Sequence, residues 1–146
     1  MVSRNGRYVI VFNGEVYNHG LLRKSLERSK EVLRWRGHSD TEVLLAAFEA
    51  WGVVKTLQAT VGMFAIALWD CHNRELWLIR DRMGEKPLYW GHFSNTILFG
   101  SELKSLVEAP AFEPAIDRNA LSLLLRFGYI PSPHSIYQRV CKIAPG

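Results

Sequence analysis

The feature that most constrains the fold is a series of short β segments separated by polar turns in the middle of the chain. Residues 63–69 and 75–80 are rich in apolar and aromatic side chains, and residues 70–74 between them have the composition of a turn. Residues 88–92 and 96–99 repeat this arrangement around a second polar turn. Strands joined by such short turns pair antiparallel. This part of the chain therefore predicts an antiparallel sheet.

The N-terminal part predicts one more strand and two helices. Residues 8–12 alternate and are β-branched, which indicates a strand that runs into an Asn13-Gly14 turn. Leucines at positions 21, 22 and 26 then predict a helix that ends before residue 36. Ser39 or Asp40 is predicted to cap a second, apolar helix that stops at Gly52.

Two further helices are predicted after the β segments. Ser101 is placed to cap a helix over residues 101–107, and an acidic cap at Asp117 begins another that stops at Gly128. With 146 residues, 48% of them hydrophobic, the chain suits one packed unit. The order of elements predicts an α+β fold in which helices cover an antiparallel sheet.

Composition argues against several classes of function. The apolar runs are too short to cross a bilayer and no signal peptide opens the chain, so we expect a cytoplasmic protein with no membrane partner. The net charge of +4 is dispersed, which argues against a nucleic-acid partner. Two cysteines and five histidines show no ligand spacing, so no metal site is predicted.

The segment around Asn13, Gly14 and Glu15 carries the strongest chemical signal. An amide side chain beside a glycine N–H could stabilise a carbonyl oxygen that gains negative charge, although Asn-Gly after a strand is also typical of a tight turn. Asp40 at a helix N-terminus could bind a substrate ammonium group or simply cap the helix. Glu15 has the same two interpretations, as a substrate contact or as a solvated residue.

Two other segments have weaker signals. Residues 80–88 form a charged loop that could cradle a phosphate, but a corner held by internal salt bridges is favoured because no glycine-rich nucleotide motif is present. Cys71 beside His72 suggests a nucleophile, yet adjacent residues on an extended chain point in opposite directions. Cys141 has still less support as a nucleophile.

Five motifs occur together in one order: FNGEVYNH at 12–19, GHSDTEVLLAAFEAWG at 37–52, GMFAIALWD at 62–70, RDRMGEKPLYW at 80–90 and FGSELKSL at 99–106. As a set they resemble the class II glutamine amidotransferase domain of glutamine-hydrolysing asparagine synthetases. The resemblance implies the N-terminal-nucleophile fold, a four-layer αββα sandwich, incomplete here at its N-terminal strands. It also implies a partial domain over residues 1–110, followed by a helix and connector over 111–146 leading toward a synthetase domain.

The resemblance assigns a role to each residue of the candidate site. Asn13 and Gly14 match the oxyanion-hole pair, and Glu15, Ser39 and Asp40 match residues that hold the substrate glutamine. It implies no cofactor for the glutaminase half, while ATP and magnesium belong only to the synthetase domain. The function expected of the complete protein is the supply of ammonia from glutamine for asparagine synthesis.

The sequence departs from the family at its start. The family opens with Met-Cys-Gly, and this chain opens with Met1 followed by Val2 and Ser3, so we expect a domain fragment that is catalytically silent alone. Unpaired sheet edges would also favour a homodimer. A non-catalytic glutamine-binding or assembly module is the alternative. Amidotransferases that make amino sugars or purines remain open as other branches of the superfamily.

Overall fold

The computed structural model describes residues 1–29 and 34–146. The predicted first helix extends toward residues 30–33, which lie outside the described part. The described elements are, in chain order, β1 (Tyr8–Val16), α1 (His19–Arg28), α2 (Asp40–Trp51), α3 (Val53–Ala59), β2 (Gly62–Asp70), β3 (Glu75–Arg80), β4 (Tyr89–Phe93), β5 (Thr96–Gly100), α4 (Leu103–Val107), α5 (Arg118–Phe127) and β6 (Val140–Lys142).

The first sheet contains β1, β2 and β3 in that order, and both pairs are antiparallel. The predicted β2–β3 hairpin is confirmed. The predicted Asn13-Gly14 turn is wrong, because β1 continues through both residues and ends with Val16 opposite Gly62. Strand pairing decides this: nine consecutive residues of β1 face partners on β2, so the chain has no room to reverse at residue 13.

The second sheet has the order β5-β4-β6 and is also antiparallel. The predicted β4–β5 hairpin is confirmed. The strands thus form two sheets, and the single sheet expected from the pattern of elements is corrected. The sequence did not predict β6, whose three residues pair with β4 from the C-terminal end of the chain. The predicted boundary between residues 110 and 111 stays a prediction.

The main core lies between the first sheet and helices α1 and α2. Side chains alternate along a strand, and the even-numbered residues of β1 turn toward the helices. Tyr8, Ile10 and Val16 are buried there against Leu26 of α1 and Phe48 of α2. Each such side chain contributes about 1.5–3 kcal/mol relative to an exposed one. This packing fixes where the end of β1 and the start of α2 meet.

The helix ends show which capping predictions hold. The second predicted helix is confirmed: the Ser39 hydroxyl oxygen accepts from the Glu42 N–H at 3.2 Å, so Ser39 rather than Asp40 is its N-cap. The helix begun by Asp117 is confirmed as well. The cap at Ser101 is wrong, because α4 begins at Leu103 with Glu102 at its N-cap. Helix α3 was not predicted.

Within the described ranges, 1–29 and 34–146, none of the helices has the length and apolar character needed to cross a membrane.

Candidate functional site

The second half of β1 presents backbone donors at an edge of the first sheet. In an antiparallel strand, the N–H groups of successive residues point alternately to the two sides. The Ile10 N–H donates to the Met1 carbonyl oxygen at 2.8 Å, and the Val16 N–H donates to Asp40 Oδ2 at 3.0 Å. Both bonds point away from β2. The alternation therefore directs the N–H of Gly14 to the same outer edge.

Gly14 occupies a position that the backbone restricts to glycine. Its φ is +148°, a conformation that residues with side chains rarely adopt. A Cβ added there would overlap the Met63 carbonyl oxygen and lie 2.7 Å from the Phe64 Cα. The restriction comes from the close approach of β2, so the glycine is needed within a paired strand and not for a turn.

Asn13 connects this edge to the second sheet. Its side chain is exposed, and its Nδ2 donates to Ser101 Oγ at 2.9 Å. Ser101 directly follows β5, so the contact joins the middle of β1 to the end of a strand in the other sheet. An amide nitrogen carries two hydrogens, and this bond uses one. The second is therefore available to another acceptor.

Asp40 is brought to the same edge from the start of α2. Its Oδ2 accepts from Val16, and its Oδ1 accepts from the Thr41 N–H at 2.7 Å and the Thr41 hydroxyl at 3.3 Å. A carboxylate can accept about four hydrogen bonds. Asp40 is only half-buried, so it keeps accepting capacity two residues along the edge from Gly14. The structure thus brings Asp40 and the β1 motif together.

Glu15 and Ser39 flank these groups. Glu15 is exposed and, by strand alternation, lies on the same face of the sheet as Asn13. Partial desolvation, and then the negative charges of Glu85 and Glu15, raise the pKa of the Tyr17 hydroxyl. Glu15 and Glu85 therefore lie close enough to Tyr17 to disfavour its ionised form. The Ser39 hydroxyl oxygen caps α2, and its predicted substrate contact stays a prediction.

A buried carboxylate supports the site from the other side of the sheet. Asp81 is 1% exposed, and it accepts from the Phe64 N–H at 3.3 Å, directly across from Gly14 in the strand register. It also accepts from the N–H groups of Met83, Glu85 and Lys86 at 2.9–3.1 Å. Burial opposes ionisation, but these donors prevail and hold the pKa of Asp81 below its usual value.

The corner formed by residues 80–88 is not held by internal salt bridges, and that prediction is wrong. The Arg80 guanidinium donates to the carbonyl oxygens of Lys86, Gly84 and Ile143, and Arg82 donates to carbonyl oxygens at the end of α3. The ion pairs of the described ranges lie elsewhere. The alternative prediction, that this loop binds a phosphate, is not supported either, because the N–H groups of the loop already donate to the Asp81 carboxylate.

Neither cysteine is placed beside the oxyanion candidates by the strand register. Cys71 follows β2 at its far end, where its N–H donates to the Arg7 carbonyl oxygen at 2.8 Å. Gly14 lies about seven residues further along β1, or roughly 20 Å away. The His72 ring contacts Asn73, at 3.2 Å. Cys141 is exposed on β6 of the second sheet.

A cavity of about 510 Å³ lies next to the site, between the first residues of the chain and the start of α2. Ser39 contributes to its lining, together with Met1, Gly37 and Glu42. Asn13, Gly14, Glu15 and Asp40 do not. The groups at the β1 edge are therefore close to one another but form an open surface rather than the wall of this cavity.

No group of three or more metal-ligating side chains occurs among the residues that the structure describes. The sequence prediction missed Ser101 and Asp81. Ser101 was assigned to a helix cap, since the residues around it give no sign of a partner 88 positions earlier. Asp81 was included only as part of the charged loop over residues 80–88, for which internal salt bridges were predicted.

Comparison with known proteins decides the family. The whole chain, residues 1–146, matches the glutamine amidotransferase domain family. The chain belongs to this family. It is a glutamine amidotransferase domain homologous to the glutaminase domains of asparagine synthetases.

The chain is similar to proteins that are named as glutamine-hydrolysing asparagine synthetases. A putative asparagine synthetase [glutamine-hydrolyzing] of Mycobacterium tuberculosis is 38% identical over 143 residues, which is 96% of this chain and 22% of the relative. Asparagine synthetase [glutamine-hydrolyzing] 1 of Bacillus subtilis is 37% identical over 139 residues, covering 95% of this chain and 21% of the relative. The chain therefore spans about a fifth of the length of these relatives.

Solved structures confirm the predicted fold. The glutamine phosphoribosylpyrophosphate amidotransferase of B. subtilis, complexed with ADP and GMP, matches 73% of this chain and 24% of its own, with a TM-score of 0.59 and 23% identity. An allosteric regulatory enzyme of purine biosynthesis matches with the same TM-score and identity over 72% of this chain and 23% of its own. The N-terminal-nucleophile fold is shared, with mixed α/β structure and antiparallel sheets.

Proposed function

We propose that this chain provides the glutaminase site of an asparagine synthetase-like enzyme and binds L-glutamine at the outer edge of β1. The observation that carries the proposal is the Val16–Asp40 hydrogen bond of 3.0 Å. It brings a carboxylate with spare accepting capacity to the edge where the Gly14 N–H points outward. Donors for an amide oxygen and an acceptor for an ammonium group then lie within a few residues of each other.

The chemistry follows from these groups. When a nucleophile attacks the side-chain amide carbon of glutamine, the carbonyl oxygen gains negative charge. The Gly14 N–H and the free Asn13 N–H are donors fixed before the reaction, so they stabilise this oxygen without reorganising. Asp40 and Glu15 bind the α-ammonium group, and Ser39 borders the same helix start. The tetrahedral adduct then collapses: the bond between this carbon and the amide nitrogen breaks, and the nitrogen takes up a proton and leaves as ammonia.

Partners of the site follow from the same proposal. The ammonia would be consumed by a synthetase domain, to which we assign the ATP and magnesium, and the glutaminase half requires no cofactor of its own. We place the enzyme in the cytoplasm. We also propose that two copies associate through an exposed sheet edge other than the glutamine-binding half of β1, so that the site stays open. Sedimentation velocity would measure this association.

A second candidate function is glutamine binding without turnover. The observation that favours it is the position of Cys71, roughly 20 Å from Gly14 along the sheet. We assign neither Cys71 nor Cys141 as the nucleophile. In this role the chain would bind glutamine or contact a partner without hydrolysing the amide.

Calorimetry with L-glutamine tests both functions. We expect saturable binding that is lost with D-glutamine, which has the same groups in a different arrangement, and that is weakened by Asn13→Ala. Asn95→Ala, in the exposed β4–β5 turn, is the matched control. Glutamate release by the same samples separates the candidates, since turnover abolished by Asn13→Ala supports hydrolysis and binding without turnover supports the second function. No binding of L-glutamine by the folded wild type would contradict both.

A further inference from the structure

We infer that Ser101 is a positioning residue for the oxyanion site, because its hydroxyl holds the Asn13 amide in the orientation that aims its second N–H along the edge marked by Gly14. The inference rests on the proposed function and deepens it, since it adds a residue from the second sheet. The contact that supports it is the 2.9 Å hydrogen bond from Asn13 Nδ2 to Ser101 Oγ.

The fold places Ser101 for this contact and not for capping. A Cβ added at Gly100 would crowd Ser105 Oγ and lie 3.0 Å from Leu106 Cδ1, so the first turn of α4 folds closely over the end of β5. That turn is already closed by the Ser105 hydroxyl, which donates to the Glu102 carbonyl oxygen at 2.6 Å. The Ser101 hydroxyl is therefore left to face β1.

Geometry explains why a hydroxyl acceptor would matter to the amide. The two hydrogens of an Asn side chain lie in one plane, so a bond to one of them fixes the direction of the other. Asn13 is exposed, and without Ser101 its terminal torsion is free to rotate. Donors act best when they are oriented before the substrate arrives. A small rotation of this amide moves its free N–H away from the oxygen that Gly14 also binds.

Ser101 also keeps a donor of its own. A serine hydroxyl that accepts one hydrogen bond still carries its proton. Because Ser101 directly follows β5 of the second sheet and Asn13 lies on β1 of the first, the bond makes the orientation of the site depend on how the two sheets sit against each other. A structural role in α4 alone would not predict any effect on Asn13.

Nuclear magnetic resonance of the Asn13 side-chain amide tests the inference on the full chain. Asn13→Ala identifies the resonance pair by its disappearance. We expect Ser101→Ala to shift that pair and Ser101→Thr, which keeps the hydroxyl, to restore it. Ser105→Ala is the matched control, because it loosens the same helix start without contacting Asn13. An unchanged Asn13 pair in folded Ser101→Ala, or an equal shift in Ser105→Ala, would overturn the inference.

Glutamine affinity gives the second measurement. Loss of one oriented hydrogen bond predicts affinity weakened roughly two- to tenfold in Ser101→Ala, with recovery in Ser101→Thr. In an Asn13→Ala background the same substitution should have no further effect, since Ser101 acts through Asn13. An additive loss in the double variant would overturn the positioning role. If the wild type binds no glutamine, the proposed function fails, and the Asn13 resonances still decide whether Ser101 orients the amide.

Discussion

Asp40 and Asp81 each accept a hydrogen bond from a backbone N–H near one end of the first sheet, but they are used differently. Asp81 is 1% exposed and binds four backbone N–H groups. Asp40 is half-buried and binds Val16 and its own neighbour Thr41. A carboxylate whose accepting capacity is filled by the chain stabilises the fold. One that keeps capacity at an open edge can also bind a ligand.

The contrast extends to the strands that these residues contact. Phe64 and Gly14 are directly opposite each other in the register, so Asp81 supports the strand behind the site and Asp40 ends the strand that carries it. We therefore expect changes on the Asp81 side to affect folding first. Changes on the Asp40 side should affect binding first.

The largest expected effect is that of Asp81→Ala. The change leaves buried N–H groups without partners, and hydrogen bonds to a charged group contribute about 1.5–3 kcal/mol each. We expect the free energy of unfolding to fall by at least about 3 kcal/mol, measured by urea denaturation. Glu85→Ala, at an exposed residue of the same loop, should change it by less than about 0.5 kcal/mol. Similar losses in the two variants would show that the Asp81 contacts do not stabilise the fold.

Asp40→Ala should affect glutamine affinity more than stability, the opposite of Asp81→Ala. We expect a loss of about 1 kcal/mol in the free energy of unfolding, typical of a helix N-terminus, but at least about a tenfold loss of glutamine affinity. Asp117→Ala is the control: Asp117 accepts two N–H bonds at the start of α5, and its loss should lower stability similarly while leaving affinity unchanged. Equal affinities in Asp40→Ala and the wild type would remove Asp40 from the site.

A third prediction concerns the loss of stability in acid. It depends on Asp70, which is buried like Asp81. The Arg7 guanidinium, aided by backbone N–H donors, lowers the pKa of Asp70 to about 2 from 3.8. A lowered pKa stabilises the folded state above pH 3.8, and this contribution disappears as the pH falls through about 2. We expect the wild type to lose more stability over this interval than Asp70→Asn, measured by denaturation at each pH.

The smallest effect on stability is expected for Glu15→Gln. The side chain is exposed, so the free energy of unfolding should change by less than about 0.5 kcal/mol. Glutamine affinity should fall severalfold, because a charged partner for the ammonium group is lost. Calorimetry measures this, with Glu108→Gln, an exposed carboxylate after α4, as the control. An unchanged affinity would confine ammonium binding to Asp40.

Local signals predicted most of the elements. Alternation and turn composition gave both hairpins, and caps at Ser39 and Asp117 with glycines at 52 and 128 gave the bounds of α2 and α5. These features depend on residues within a few positions of each other. Helix α3 was missed because its seven residues are too few to show a period, and β6 because its three residues become a strand only by pairing with β4.

The candidate site was only partly accessible to such reasoning. The motif resemblance named Asn13, Gly14, Glu15, Ser39 and Asp40, and the structure brings Asp40 to the end of β1. The Asn-Gly pair predicted a turn at Gly14. The structure has a strand there, because both residues pair with β2. Ser101 could not be found locally, since its partner lies 88 residues away and meets it only when two sheets assemble.

The sequence by itself predicted most of the elements, the family and five candidate site residues, because periodicity, caps and motif order depend on neighbouring positions. Only the tertiary structure decided which N–H groups of β1 face outward, that Asp40 binds Val16, and that Asn13 is held by Ser101. The physical reason is that a hydrogen bond depends on distance and direction between atoms. Residues far apart in the chain acquire these only when the strands pair and the helices pack against them.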